Sequence, residues 1–315
     1  MVVAKRKLKI SKDNNLDLVY SWVDTTDPMW QSKYNSYFQS IDKKRHSNHG
    51  EIYFSLKTVH KFMPYIRHIF ILTDNQKLNH NNIHPTILKK IKYVDHKDIV
   101  DKKHLPTFNS TVFEFYLHKI KGLSENFLYS NDDTFVGKHI SKKIFFDKQG
   151  HLKVHLNKSK ANINEFIASK IHENMSFLNW AKNSIKLLLP YIPDPNYMTI
   201  HSFYTMNKIS NEKAINLIGM KNIEKTFSRK RENINLLPTS FFQIMSVYLG
   251  YAKLYSSNED NIVFKVYYLE NIKSAYYAYH KIMKKNHHFF CVNEISNDSL
   301  RIYKKIINNY LKSGK

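Results

Sequence analysis

The sequence predicts an α/β protein with a mostly parallel sheet and a helical C-terminal part. Three observations lead there. Short runs of strand-forming residues alternate with helical periodicity through the first 150 residues, four of those runs end in acid, and beyond Gly150 helical spacing dominates. Such alternation marks a parallel sheet covered by helices, whose ligands bind beyond the carboxyl ends of the strands. The expected division is therefore residues 1–150, carrying the sheet, and residues 151–315, mainly helical and completing the site.

Leu16 to Val23 mixes β-branched and aromatic residues and runs into Asp24 and the turn Thr25-Thr26-Asp27-Pro28, so it reads as a first strand with acid at its tip. Trp22 and Trp30 suit a core, the commoner fate, or a platform for a nucleobase. After a polar, basic loop from Ser36 to Gly50, the residues Ile52, Leu56, Val59 and Met63 recur at helical spacing until Pro64. Lys57 falls on another face of that helix. Arg67 to Thr73 reads as a second strand ending at Asp74, and Ile91 to Val94 as a third ending at Asp95.

Leu105 to Phe135 is the most informative stretch. Asn109, Ser110 and Thr111 offer caps, and Phe113, Leu117 and Ile120 define a helix from Thr111 to Lys121 that Gly122 stops. Thr111 and Glu114 have capping-box spacing, which would occupy Glu114 structurally. Phe127 to Tyr129 then forms a strand with Asn131, Asp132 and Asp133 at its end. Adjacent carboxylates repel unless water, a donor or a cation offsets the charge, and a divalent metal carrying a diphosphate would do so. An Asp-Asp pair after a strand is more often a solvated turn. The recurrence of acid at other strand ends favours a site.

In the second half, helices are expected at Ile163 to Leu189, Asn211 to Met220 and Thr239 to Tyr251. The last is too short and too interrupted to span a bilayer. Pro190, Pro193 and Pro195 give an extended segment leading to His201, and basic residues gather at Lys225, Arg229, Lys230 and Arg231. Asp298 to Leu311 forms an amphipathic helix that either packs on the body or rests its basic flank on anionic lipid.

Hydrophobic content of 42% and aromatic content of 14% over 315 residues exclude a disordered chain. A net charge of +23 attracts polyanions. The lysines are spread along the chain with no zinc-finger, RNP or basic-zipper pattern, so no nucleic acid is expected. Cys291 is the sole cysteine. No internal disulfide can form, a cysteine-built metal site is excluded, and a reducing cytosol fits best. The N-terminus lacks the apolar stretch of a signal peptide.

These residues resemble the Stealth family of sugar-1-phosphate transferases, which includes bacterial capsule phosphotransferases and the animal lysosomal GlcNAc-1-phosphotransferase. The resemblance runs through Asp17 to Trp30 (DLVYSWVDTTDPMW, with Thr25-Thr26 where the family shows Gly-Ser), EIYFSLKTV and PYIRHIFILTDNQ (with Lys57 where arginine is usual), and LPTFNS through NDDTF. A looser block covers His201 and the basic cluster ending at Arg231. The resemblance implies a Rossmann-like, GT-A-like fold and catalytic residues Glu114, Asp133, His201 and Arg231, with Arg229 as the alternative arginine. Trp22, Asp24, Asp27, Lys57, Asp74 and Asn109 would line the nucleotide-sugar site, and Asp132 and Asp133 would hold Mg²⁺ or Mn²⁺.

The implied reaction moves hexose-1-phosphate from a UDP-hexose donor to a hydroxyl of a glycan acceptor, free or lipid-linked, in bacterial capsule or cell-surface polysaccharide synthesis. It leaves a phosphodiester and releases UMP. A cytoplasmic enzyme of this kind would work at the inner face of the membrane, against anionic lipid. His201 suits removal of the acceptor proton, with Glu114 as the alternative base. Two other readings stand beside it: a metal-dependent glycosyltransferase releasing UDP, and a non-enzymatic polyanion-binding protein resting on charge alone.

Overall fold

β1, Asp17–Ser21, is the strand around which the sheet is laid. The computed structural model describes residue 8 and residues 15–39, 48–158, 175–192, 197–199, 201–255 and 262–312. The basic loop residues 40–47, Pro193, Pro195 and residues 163–174 of an expected helix lie outside these. Among the described residues the chain continues through β2 (Ile69–Thr73), β3 (Ile91–Asp95), β4 (Asn126–Asn131), β5 (Thr134–Val136), β6 (Leu152–Lys158), β7 (Tyr197–Thr199), β8 (Tyr204–Asn207), β9 (Ala252–Tyr255), β10 (Phe264–Tyr268) and β11 (Phe289–Asn293).

The main sheet has the order β3-β2-β1-β4-β8. β1 lies parallel between β2 and β4, β3 continues the parallel array, and β8 closes the other edge antiparallel. This is the expected mostly parallel, Rossmann-like α/β architecture. Strands covered on both faces read as apolar runs, as in IFILT of β2. Parallel pairing gathers the carboxyl ends of β1 to β4 along one edge, where Ser21 lies opposite both Leu72 and Asn131.

The helix Glu51–Phe62 is wedged between two layers. Ile52, Leu56 and Val59 pack on the main sheet, while Phe54 turns to Phe135 and Tyr310. The helix expected from Thr111 to Lys121 is instead the short helix Ser110–Phe113 followed by a 3₁₀ turn, Glu114–Lys119, capped at Ile120; Gly122, at φ +75°, lies in the turn beyond it rather than ending the helix.

Among the described residues the second half holds more helix than strand, but it also carries strands that the sequence did not show. It supplies the strands β6 to β11, which build two further three-stranded sheets and the edge of the main one. These strands are three to seven residues long, too short for their spacing to stand out. Nor do the sheets divide at residue 150. β8 belongs to the first sheet, while β5 pairs with β11 in the sheet β10-β11-β5. Gly137 continues β5 so close to the C-terminal part that a Cβ there would lie 2.3 Å from the carbonyl oxygen of His287, which excludes any other residue without a backbone shift.

Helices do form at Met175–Leu188, Lys208–Ile218 and Pro238–Tyr248, the last buried over most of its length. No helix among the described residues is long and apolar enough to cross a membrane. The final helix, Leu300–Tyr310, buries Ile302, Tyr303, Ile306 and Tyr310 in the C-terminal core, so its apolar face is used by the body rather than by lipid.

One buried acid fixes the start of the sheet. Asp17, fully buried, accepts two hydrogen bonds from the Arg67 guanidinium and others from the backbone N–H groups of His68 and Ser124, tying β1 to both neighbours. Burial works to raise its pKa, but the hydrogen bonds from Arg67, Ser124 and His68 and the Arg67 charge hold it below the ordinary carboxylate value. That stabilisation is present above the unfolded-state pKa and is lost as pH falls through the folded-state one. Asp17→Asn should cost about 3 kcal/mol in urea unfolding at neutral pH, with the difference from wild type shrinking in acid. A constant difference down to acid would refute the assignment.

Candidate active site

The edge of the main sheet carries two linked groups of polar side chains. β4 delivers Tyr129, whose hydroxyl donates to Glu114 Oε1 at 2.9 Å and meets the Ser21 hydroxyl of β1, also at 2.9 Å. Glu114 opens a 3₁₀ turn, Glu114–Lys119, that follows the short helix Ser110–Phe113. The cap of that helix is Asn109 rather than Thr111, so no capping box occupies Glu114. The Ser110 hydroxyl bonds Glu114 and accepts from Arg231 Nη2 at 2.8 Å, bringing the guanidinium beside the acid. Burial pushes the Glu114 pKa up, bonds from Tyr129 and Ser110 and the Arg231 charge pull it back, and the balance lies at about 7.

The second group forms around Asp132 and Asp133, in the turn by which the chain leaves β4 for β5. Asp133 Oδ1 lies 3.9 Å from His201 Nε2, and His201 Nδ1 is hydrogen-bonded to the Tyr204 hydroxyl at 2.8 Å. Tyr204 stacks on Tyr129 with ring centroids 6.1 Å apart, and feels the charges of both Glu114 and Asp133. The tyrosine pair thus joins the two groups. Burial, then the charges of Asp133 and Glu51, push the Asp132 pKa well above the carboxylate range. The Glu51 pKa is raised too, by burial first and by Asp133. Among the described residues no lysine or arginine is ion-paired with Asp132, Asp133 or Glu51. Crowded carboxylates without a counter-charge fit a hard divalent cation, which takes oxygen ligands.

Glu114, Asp133, His201 and Arg231 therefore fall into one connected network. Arg229 is engaged elsewhere, donating to the Pro106 carbonyl and lying over the Tyr37 ring. Several expected nucleotide-sugar residues have structural duties instead. Asn109 is fully buried, its amide donating to the carbonyls of Ser228 and Lys230 and to Asn235, its oxygen accepting from Thr111. It positions the loop bearing Arg231 and has no polar atom left for a ligand. Asp27 caps the helix Pro28–Asn35, and Asp74 is ion-paired with Lys33. Asp95, at the third acid-tipped strand, caps the helix that follows.

Asp24 accepts from the Thr26 N–H and hydroxyl and from Asn48, at the sheet edge. Trp22 is core, with its indole Nε1 buried and without an acceptor, and Lys57 projects from its helix into solvent.

Residues not anticipated complete the site. Gln76 staples the tips of β1 and β2 by bonding the N–H and carbonyl of Asp24. Glu51 was visible as an acid opening an apolar helix and Tyr129 as a strand residue, while Tyr204 was not singled out. Cys291 of β11, excluded as a metal-site residue because it stands alone in the sequence, lies beside Asp133 and His201, the three donor atoms all within 4.8 Å of one another. Burial, then Asp133, push its thiol pKa well up.

Residues 45–154 match the family description "Stealth protein CR2, conserved region 2". Over 99% of this chain and 88% of the relative, the sequence is 33% identical to capsular polysaccharide phosphotransferase cps12A of Actinobacillus pleuropneumoniae. It is 34% identical to capsular polysaccharide phosphotransferase fcs1 of Haemophilus influenzae, over 94% of this chain and 82% of that one. Among solved structures, the galactosyltransferase LgtC with donor and acceptor sugar analogs aligns at a TM-score of 0.46 and 10% identity, over 93% of this chain and 95% of that one. An acid-edged, mostly parallel α/β sheet approached by a histidine and an arginine from the second half is the arrangement this chain carries. The chain belongs to the Stealth family of bacterial phosphotransferases. Membership makes it an enzyme and sets aside a protein that merely binds polyanions.

The Glu114 geometry has a pH signature. A carboxyl whose folded pKa is raised contributes most below its unfolded pKa and loses that contribution as pH rises through about 7. Glu114→Gln should therefore gain about 2 kcal/mol relative to wild type between about pH 5 and about pH 8. Denaturant melts at both pH values check this, and curves that stay parallel would remove the buried-acid assignment.

Proposed function

We propose that the protein transfers hexose-1-phosphate from a UDP-hexose to a hydroxyl of a glycan acceptor in capsule or cell-surface polysaccharide synthesis. The acceptor oxygen bonds to the phosphorus nearer the sugar, the bond from that phosphorus to the bridging oxygen breaks, and UMP departs, leaving a phosphodiester. The observation that carries this reading is the approach of His201 to Asp133 at an acid turn with which, among the described residues, no lysine or arginine is ion-paired.

Asp132 and Asp133 would hold Mg²⁺ or Mn²⁺. When bound, the ion neutralises diphosphate charge as it develops on the departing UMP. His201 takes the acceptor proton at Nε2, its other nitrogen being engaged by Tyr204. Arg231 clamps a phosphoryl oxygen, and Ser110 keeps it within reach. Glu114, its pKa raised by burial to about 7, orients the substrate through Tyr129 and Ser110. Asp24, at the mouth of β1, is the residue best positioned by this reading for the nucleotide side.

Asp133→Asn should abolish transfer while leaving the melting temperature within a few degrees. EDTA should stop turnover, and Mg²⁺ or Mn²⁺ restore it. With a panel of UDP-hexoses and glycan acceptors, UMP should appear in step with a phosphodiester. Release of UDP in its place would make the protein a glycosyltransferase and overturn the proposal.

The same reading places a lipid-linked acceptor at the inner membrane face. Support comes from the helix Ile272–Met283, whose outer side exposes Ile272, Tyr276 and Tyr277 among Lys273 and Lys281. Aromatic and basic side chains on one helix face suit an anionic lipid interface. The protein should sediment with phosphatidylglycerol vesicles, and replacing Tyr276 and Tyr277 by serine should weaken that severalfold. Unchanged sedimentation would exclude this face.

A further inference from the structure

Asp133, His201 and Cys291 come from three separate stretches of chain: the turn after β4, the segment before β8 and the middle of β11. Their donor atoms, one oxygen, one nitrogen and one sulfur, converge within 4.8 Å of one another. Tyr204 engages His201 Nδ1 at 2.8 Å and leaves Nε2 turned to Asp133. A hydrogen bond to the far ring nitrogen is the usual device that orients a ligating imidazole. Cys291 is fully buried and faces Thr134 across the β5–β11 pairing, so its position is fixed by the sheet. The side chains of Asp133 and His201 remain about a fifth and a quarter exposed, which leaves an entry path.

This donor set differs in kind from the acid turn. Mg²⁺ demands oxygen ligands in octahedral order, whereas thiolate with imidazole and a carboxylate suits Zn²⁺ or Co²⁺, and three protein ligands leave a fourth position open. We propose that Asp133, His201 and Cys291 form a second, thiophilic ion site, and that a Zn²⁺-class ion bound there inhibits the enzyme by withdrawing Asp133 and His201 from the transfer reaction. On binding, the cysteine S–H bond is exchanged for a sulfur–metal bond and the proton leaves to solvent. The inhibitory half rests on the proposed function; the binding half does not.

The test uses the full chain, stripped with EDTA and titrated with Co²⁺. Stoichiometric binding should bring a sulfur-to-cobalt charge-transfer absorption, with release of a proton and displacement of cobalt by Zn²⁺. The absorption should vanish in Cys291→Ser. It should also be lost in His201→Gln, whose partly exposed side chain keeps the test usable if the buried change impairs folding. In wild type, Zn²⁺ should raise the melting temperature by mass action, and in Cys291→Ser that rise should be lost.

With turnover supported by Mg²⁺, half-inhibition by Zn²⁺ should require at least about tenfold more metal in Cys291→Ser than in wild type, each scaled to its own uninhibited rate. Cobalt bound without the thiolate absorption, or an identical spectrum in Cys291→Ser, overturns the site. Inhibition that ignores Cys291 overturns its consequence. Should the phosphotransfer reading itself fail, the cobalt spectrum still decides the binding site.

Discussion

A crowd of carboxyl groups at the end of β4, with which no lysine or arginine among the described residues is ion-paired, is the constraint on which the rest of the site depends. Asp132, Asp133 and Glu51 crowd one turn, and burial together with mutual repulsion drives the Asp132 pKa well up. Such a cluster persists only because the surrounding elements over-determine it. The parallel register fixes where β4 ends, the helix beginning at Glu51 is held between two layers, and β5 is already committed to another sheet. The fold therefore concentrates carboxyl groups at the point where a histidine from the second half arrives.

Tyr129 and Tyr204 make that arrival specific. Each ring is buried, each hydroxyl contacts one of the two polar groups, and the rings stack on one another. Glu114 and Asp133 both act on Tyr204, although one belongs to a turn before β4 and the other to the turn after it. The groups gathered at this edge come from both halves of the chain.

Much of this was legible in the sequence, and the failures share a cause. The apolar runs of β1 to β4 and their acidic ends stand out because buried parallel strands are nearly continuous in hydrophobic residues. What spacing does not distinguish is an acid that binds from an acid that caps. Asp27 and Asp95 sit between a strand end and a helix start, where a short carboxylate serves equally well as ligand or as N-cap. Asn109 shows the same ambiguity: its amide is spent on the Arg231 loop. Cys291 was invisible because its partners lie 90 or more positions away, brought near only by the β5–β11 pairing.

That pairing has a consequence for how such enzymes diversify. Thr134 to Val136, encoded in the first half, is a structural strand of the last sheet, and Gly137 nestles against His287 with no room for a side chain. A chimera that joined this first half to a foreign C-terminal region would leave Phe54 and Phe135 bare and the acid turn unsupported on one side. Recombination among relatives can exchange surface loops freely, but the ends of the chain must be inherited together.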